Sequence, residues 1–402
     1  DSQQPKVWTS LGHTLRTLGR TEACVGAYRK AMALSPQFGE AWWSLANIKP
    51  SPITDADVAA ILLQLEARDL TLEDRIHFYF AIGKAFEDRS EFAESFRHYA
   101  DGNRLFHQTV RYDPAEMTDL VQRAKALFSP AFFAARAGGG TNAADPIFIV
   151  GLPRAGSTLV EQILSSHSAV EGTAELPDIP ALVKSLDGRN PGARDGKYPE
   201  VLASLEPVRL RNIGETYLEQ TRLQRKRGTP FFIDKMPNNF AHVGFIHLIL
   251  PNARIIDVRR HPMACGYSLF KLLFGHGQHF AFSLEDIGRY YRDYVELMAH
   301  YDSVLPRRVH RVIYETLVHD TETEVRRLLE YCGLPFEPAC LKFYETNRPV
   351  STPSAEQVRS PIFRAALDHW RNYEPWLEPL KATLGDLADA YPEVPDRFHA
   401  AR

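Results

Sequence analysis

The chain has 402 residues, 44% hydrophobic and 24% charged, the balance of ordinary soluble globular protein and enough length for two domains. A net charge of −3 excludes a globally basic nucleic-acid binder, so an anion site must come from a local cluster. The four cysteines (Cys24, Cys265, Cys332, Cys340) contain no CxxC, which argues against a disulfide or zinc framework and for a reducing, cytoplasmic setting, and no apolar run is long enough to span a membrane. The chain starts at Asp1 rather than a methionine, so further residues upstream are expected.

An internal repeat comes first. In WTSLGHTLRTLGRTEACVGAYRKAMALSP, residues Trp8, Leu11, Gly12, Tyr28, Ala31 and Pro36 stand at the spacings of a tetratricopeptide repeat, whose period is about 34 residues. Trp42 follows Trp8 by 34 residues, and Leu45 and Ala46 repeat Leu11 and Gly12. Tyr79, Ile82, Gly83, Phe86, Tyr99 and Gly102 give a third copy in phase. The expected organisation of residues 1–137 is an all-α domain of three repeats, about 5–38, 39–75 and 76–109, with KPSPITD making the second irregular. PAEMTDLVQRAKALFSPAFFAARA (114–137) reads as one closing helix, and GGGTNAADP (138–146) as a flexible linker. Such a stack offers a concave surface for an extended peptide, so a peptide or protein is the expected partner, with homodimerisation as the other use.

From Pro146 the texture changes. Short β-rich runs at 147–150, 231–234, 254–258 and 311–314 alternate with helical patterns, which predicts an α/β domain over 146–402 with a parallel sheet. Ligands of such sheets bind at the carboxyl ends of the strands. The first run enters GLPRAGST, and Ser157 and Thr158 open a helix. The backbone N–H groups of Gly156, Ser157 and Thr158 form an anion cradle there. A nucleoside-triphosphate loop has a lysine after its second glycine; here Ser157 takes that place and Arg154 sits inside the loop. Asp257, in mid-strand with two arginines following, is a poor magnesium ligand. The loop suits one terminal phosphate, and no metal is expected.

A second cluster follows the strand at 254–258. In VRRHPMACGYS, Arg260 stands eight residues before Ser268, and a helix from about Met263 can bring the hydroxyl back beside the guanidinium. That pair suits a second, separate phosphate. Two single-phosphate sites on one sheet point to a nucleotide phosphorylated on both its 5′ and 3′ sides. HGQH (276–279) has a metal-like spacing but no third ligand, and is read as structural or surface histidines.

PIFIVGLPRAGSTLVEQILSSHSAVEGTAE resembles the 5′-phosphosulfate loop of sulfotransferases, and RRHPMACGYS resembles their 3′-phosphate motif. Within that superfamily the likeness is greatest to the protein-tyrosine sulfotransferases, over about residues 146–384. The resemblance implies a P-loop-like fold and the donor 3′-phosphoadenosine 5′-phosphosulfate, held by Arg154, Ala155, Gly156, Ser157 and Thr158 and by Arg260 and Ser268, with Tyr314 beside the adenine. It implies Glu175, 21 residues after Arg154, as general base for the acceptor hydroxyl, and Lys235 and Ser354 near the leaving group, with Arg154 also catalytic. Leu176 and Pro177 depart from the family's threonine and arginine, which bears on peptide recognition. His369 replaces a lysine before Trp370, for which Arg359 or Arg364 is the expected substitute. The implied activity is sulfuryl transfer to an acceptor hydroxyl, foremost a tyrosine of a peptide or protein. A carbohydrate or small phenol as acceptor, or an inactive repeat scaffold, are the alternatives.

Overall fold

The computed structural model describes residues 3–187, 196–275, 277–346, 357–362, 364 and 367–398. Helices α1 (Pro5–Thr17) and α2 (Thr21–Leu34) form a hairpin closed at Gly12, where a Cβ would lie 2.3 Å from Cε1 of Tyr28. Only glycine allows that approach. Two later helices, α5 (Leu72–Asp88) and α6 (Phe92–His107), repeat it: a Cβ at Gly83 would lie 2.8 Å from Cδ1 of Tyr99. Between them, α3 (Gly39–Ala46) stops early and α4 (Asp55–Glu66) starts at a capping box in which Thr54 and Asp57 satisfy each other's backbone N–H. The KPSPITD stretch is the cause of this irregular pair.

The closing segment is two helices rather than one, α7 (Pro114–Leu127) and α8 (Pro130–Ala134). Pro130 cannot continue a helix from behind; it opens a new one, with the Ser129 hydroxyl accepting from the Phe132 N–H.

The sheet holds β1 (Pro146–Gly151), β2 (Val170–Gly172), β3 (Phe231–Lys235), β4 (Arg254–Arg259) and β5 (Val309–Ile313), all parallel, in the order β2-β3-β1-β4-β5. Alternation along β1 sends Ile147 and Ile149 to one face, with Val160 and Ile163 of α9 (Ser157–Ser165). Phe148 and Val150 go to the other face, which α10 (Asp178–Asp187), α11 (Pro207–Thr221) and α12 (Val243–Ile249) help to cover. Helices α13 (Pro262–Phe270) and α14 (Leu284–Val304) follow β4, and α15 (Tyr314–His319) and α16 (Thr321–Cys332) follow β5. Burial on both faces is what the near-continuous apolar runs of a parallel sheet require.

The hydrophobic core does not break at the expected linker. Phe78, Ala81, Ile82 and Ala85 of α5 pack with Tyr28, Trp42 and Leu45, while Ile76 and Phe80 of the same helix join Tyr99, Val121 and Phe128 in the core under the sheet. Polar contacts reinforce this joint: Asn103 Nδ2 donates to the Phe270 carbonyl at 2.8 Å, and the His300 ring to that of Phe128 at 2.8 Å. Residues 138–145 are docked instead of hanging free. Thr141 N–H donates to Ile249 O at 3.0 Å, and Arg254 Nη1 to Ala144 O at 2.6 Å.

Candidate functional site

The loop between β1 and α9 is bent by backbone that few side chains tolerate. Arg154 has φ 70° and Gly156 φ 103°. At Gly156 a Cβ would stand 2.3 Å from Cδ2 of Tyr314, so the tyrosine ring closes directly over the glycine. Contacts with the β4–α13 corner fix the loop from its other side. Arg154 Nε donates to Ser268 Oγ at 3.0 Å, and Arg260 Nη1 donates to the Arg154 carbonyl at 3.2 Å. The Arg260 guanidinium also lies 5.1 Å from the centre of the Tyr314 ring. Thus the two clusters expected to hold separate phosphates meet in one place.

They line a cavity of about 340 Å³. Arg154, Gly156, Ser157, Thr158, Arg260, Ser268 and Tyr314 all face it; Ala155 does not, because its methyl is buried and its N–H turns back to Leu152 O at 3.3 Å. Burial, and then the charge of Arg260, pull the Arg154 guanidinium down to about 10. Two cations forced this close at a helix N-terminus create a site whose natural complement is an anion.

The second expected pair also comes together. Lys235 ends β3, with its Cα in register with Ile149 of β1, and Lys235 Nζ donates to the Glu175 carboxylate in the loop after β2. Both clusters therefore lie at the carboxyl edge of neighbouring strands, where open α/β sheets bind ligands. Ser354 lies outside the described residues, as does His276 of the HGQH stretch. Asp257 is consumed by the fold: it is fully buried and accepts from Arg311 Nε at 2.9 Å, Arg259 Nη2 at 3.3 Å and the Tyr294 hydroxyl. Among the described residues no group of three or more His, Cys, Asp or Glu is placed to hold a metal ion.

Other placements differ from expectation. Neither Arg359 nor Arg364 reaches the cavity; Arg364 donates to His319 O at 3.3 Å, and Arg359 lies beside Gly19. Lys271, Lys49 and Glu87 line the cavity instead, together with His369. Lys271 was readable, since it follows Ser268 by one helical turn and so shares its face. Glu87 and Lys49 belong to the helical region and carry no local signal.

Residues 146–338 match the sulfotransferase family. The domain those residues form is a sulfotransferase-family domain, on a helix-rich α/β fold with a parallel sheet. An uncharacterized protein of Aquifex aeolicus is 31% identical over 380 residues, covering 93% of this chain and 49% of that protein. The protein-tyrosine sulfotransferase of Drosophila melanogaster is 24% identical over 268 residues, covering 62% of this chain and 53% of the relative. The chain thus spans about half the length of the curated relatives it matches. Among solved structures, the sulfotransferase domain of the Synechococcus PCC 7002 olefin synthase aligns with TM-score 0.44 and 22% identity, covering 63% of this chain and 98% of that one. The sulfotransferase domain from the curacin biosynthetic pathway aligns with TM-score 0.43 and 19% identity, over 62% and 98%.

Proposed function

We propose that the chain moves a sulfuryl group from 3′-phosphoadenosine 5′-phosphosulfate to an acceptor hydroxyl, with tyrosine in a peptide or protein as the acceptor. The observation that carries this reading is the convergence of Arg154, Arg260, Ser268 and the α9 N-terminus on one cavity, with the Glu175–Lys235 pair at the end of β3, the strand next to β1. The lining fits such a donor. The N-terminus of α9 presents backbone N–H groups to a phosphate, the guanidinium pair of Arg154 and Arg260 takes its charge, and the Tyr314 ring, seated over Gly156, supplies an aromatic wall for a base.

The bound donor would supply the activated sulfuryl group and depart as the 3′,5′-bisphosphate. Glu175, half-exposed at the loop edge, takes the acceptor's proton as the new O–S bond forms. A phenol, with pKa near about 10, needs that help at neutral pH. Lys235 meets the negative charge that collects on the departing phosphate oxygen as the old S–O bond breaks, and Arg154 does the same from the loop. Positioned cations of this kind supply most of the catalysis in loose, in-line transfers.

The tyrosine acceptor draws its support from the Drosophila relative and from the Glu175 spacing. The two hairpins that share the Gly12–Tyr28 and Gly83–Tyr99 contact support tetratricopeptide-like repeats in the helical region. The full chain should be incubated with the phosphosulfate donor and a panel of acidic tyrosine peptides, glycans and phenols. Sulfated tyrosine peptide, detected by mass, is the expected product. Transfer only to glycans would overturn the acceptor, and no transfer to any member of the panel would overturn the activity.

A further inference from the structure

The anion cavity holds one anomaly. Among the described residues lining it, Glu87 is a lone carboxylate facing Lys49, Arg154, Arg260 and Lys271. A free carboxylate there would repel an anionic ligand. Glu87 is not free. Its side chain is 8% exposed and accepts from Lys271 Nζ at 3.0 and 3.1 Å, from the Tyr267 hydroxyl at 3.3 Å and from the Tyr373 hydroxyl at 3.4 Å. His369 Nε2 lies 3.6 Å away, and Lys84 Nζ, one turn earlier on α5, lies 3.9 Å away. The carboxylate thus ties α5 to the end of α13, 184 residues away at Lys271, and to the segment around His369, 286 residues away at Tyr373.

Its main partner faces the loop. Burial pulls the Lys271 ammonium below the ordinary lysine range, Glu87 pushes back, and the charges of Lys84 and then Arg154 add to the pull. Lys271 therefore extends the Arg154–Arg260 cluster, and Glu87 fixes where its charge points. Lys49, exposed in the stretch between α3 and α4, brings a second cation from the helical region to the same cavity.

We propose that the helical region is a working wall of the nucleotide site, with Lys49 contacting an anionic group of the ligand and Glu87 acting as a positioning residue that holds Lys271 beside Arg154. This rests on the nucleotide reading above. It also gives the helical region a task distinct from holding an acceptor, because loading of the cavity depends on how α5 seats against α13.

The test is calorimetric titration of the full chain with 3′-phosphoadenosine 5′-phosphate, in wild type and in Lys49→Ala, Glu87→Gln, Lys271→Ala and the Glu87→Gln/Lys271→Ala double variant. Lys49→Ala changes an exposed side chain, its unfolding midpoint is measured beside wild type, and it should weaken binding about tenfold, the worth of one charge-assisted contact. Glu87→Gln and Lys271→Ala should each weaken binding, and the double variant should lose no more than the worse single one, since both act through one ammonium. A merely structural Glu87 would lower the unfolding midpoint while leaving this coupling absent. Wild-type affinity in both Lys49→Ala and Glu87→Gln would overturn the proposal, provided Arg154→Ala abolishes binding. If Arg154→Ala also binds like wild type, the nucleotide reading itself is wrong and the proposal falls with it.

Discussion

Lys235 donates to the carboxylate of Glu175, and the two differ sharply in exposure: the lysine side chain is 2% exposed and the glutamate 48%. A buried ammonium thus holds a carboxylate at the lip of the sheet edge, where an acceptor can reach it. Replacing Glu175 by glutamine keeps an acceptor for Lys235 but removes the base. The Glu175→Gln variant should lose turnover by about a hundredfold or more, with nucleotide affinity nearly unchanged. Single-turnover rates and calorimetry check the two halves. Wild-type turnover when chemistry limits the rate would place the base elsewhere.

Asp234, one residue before Lys235, gives a pH signature. Burial pushes its carboxyl up to about 8, although the Tyr217 hydroxyl donates to it at 2.9 Å. An unfolded chain releases that proton near about pH 4, so between the two values the folded state holds a proton that the unfolded state does not. This contribution to stability is therefore greatest in acid and falls as pH rises toward about 8, by at most about 1.4 kcal/mol per pH unit. Asp293, pushed up to about 7 mainly by burial, acts in the same direction. In Asp234→Asn the fall in unfolding midpoint between about pH 6 and 8 should be shallower than in wild type. Parallel curves would show that Asp234 is not its source.

Removing the helical region should not leave an independent catalytic domain. Phe128, Val121 and Phe80 share one core with Phe148 and Phe245, and Glu87 would leave Lys271 without its carboxylate. A chain beginning near residue 140 should be insoluble or should unfold without a cooperative transition, as judged by circular dichroism on heating. A sharp transition and retained nucleotide binding would show that the two regions are separable after all.

The sequence carried the parts of the site that sit on local motifs. GLPRAGST and the Arg260–Ser268 spacing lie on strand–turn–helix corners whose geometry is set by a few residues, and the four strands it indicated are present within a residue or two at their ends. It missed β2, whose three residues are too short for any alternation to register. It also joined α7 to α8, because the helical pattern continues through Ser129 and only Pro130 marks the break. The placement of Glu87 and Lys49 at the cavity was beyond reach, since it depends on how the helical region packs against the sheet domain, and no spacing along the chain encodes that. Arg359 and Arg364 were plausible as substitutes for the missing lysine by proximity in sequence, but neither lines the cavity, whereas Lys271 does.

The most direct test of the account is calorimetric titration of the full chain with 3′-phosphoadenosine 5′-phosphate and with adenosine 5′-phosphate, in wild type and in Arg260→Ala. The account predicts that wild type binds the bisphosphate at least about tenfold more tightly, the worth of one well-placed charged contact, and that Arg260→Ala loses most of that difference. Equal affinity for the two nucleotides in wild type, or a magnesium-dependent preference for ATP, would contradict it.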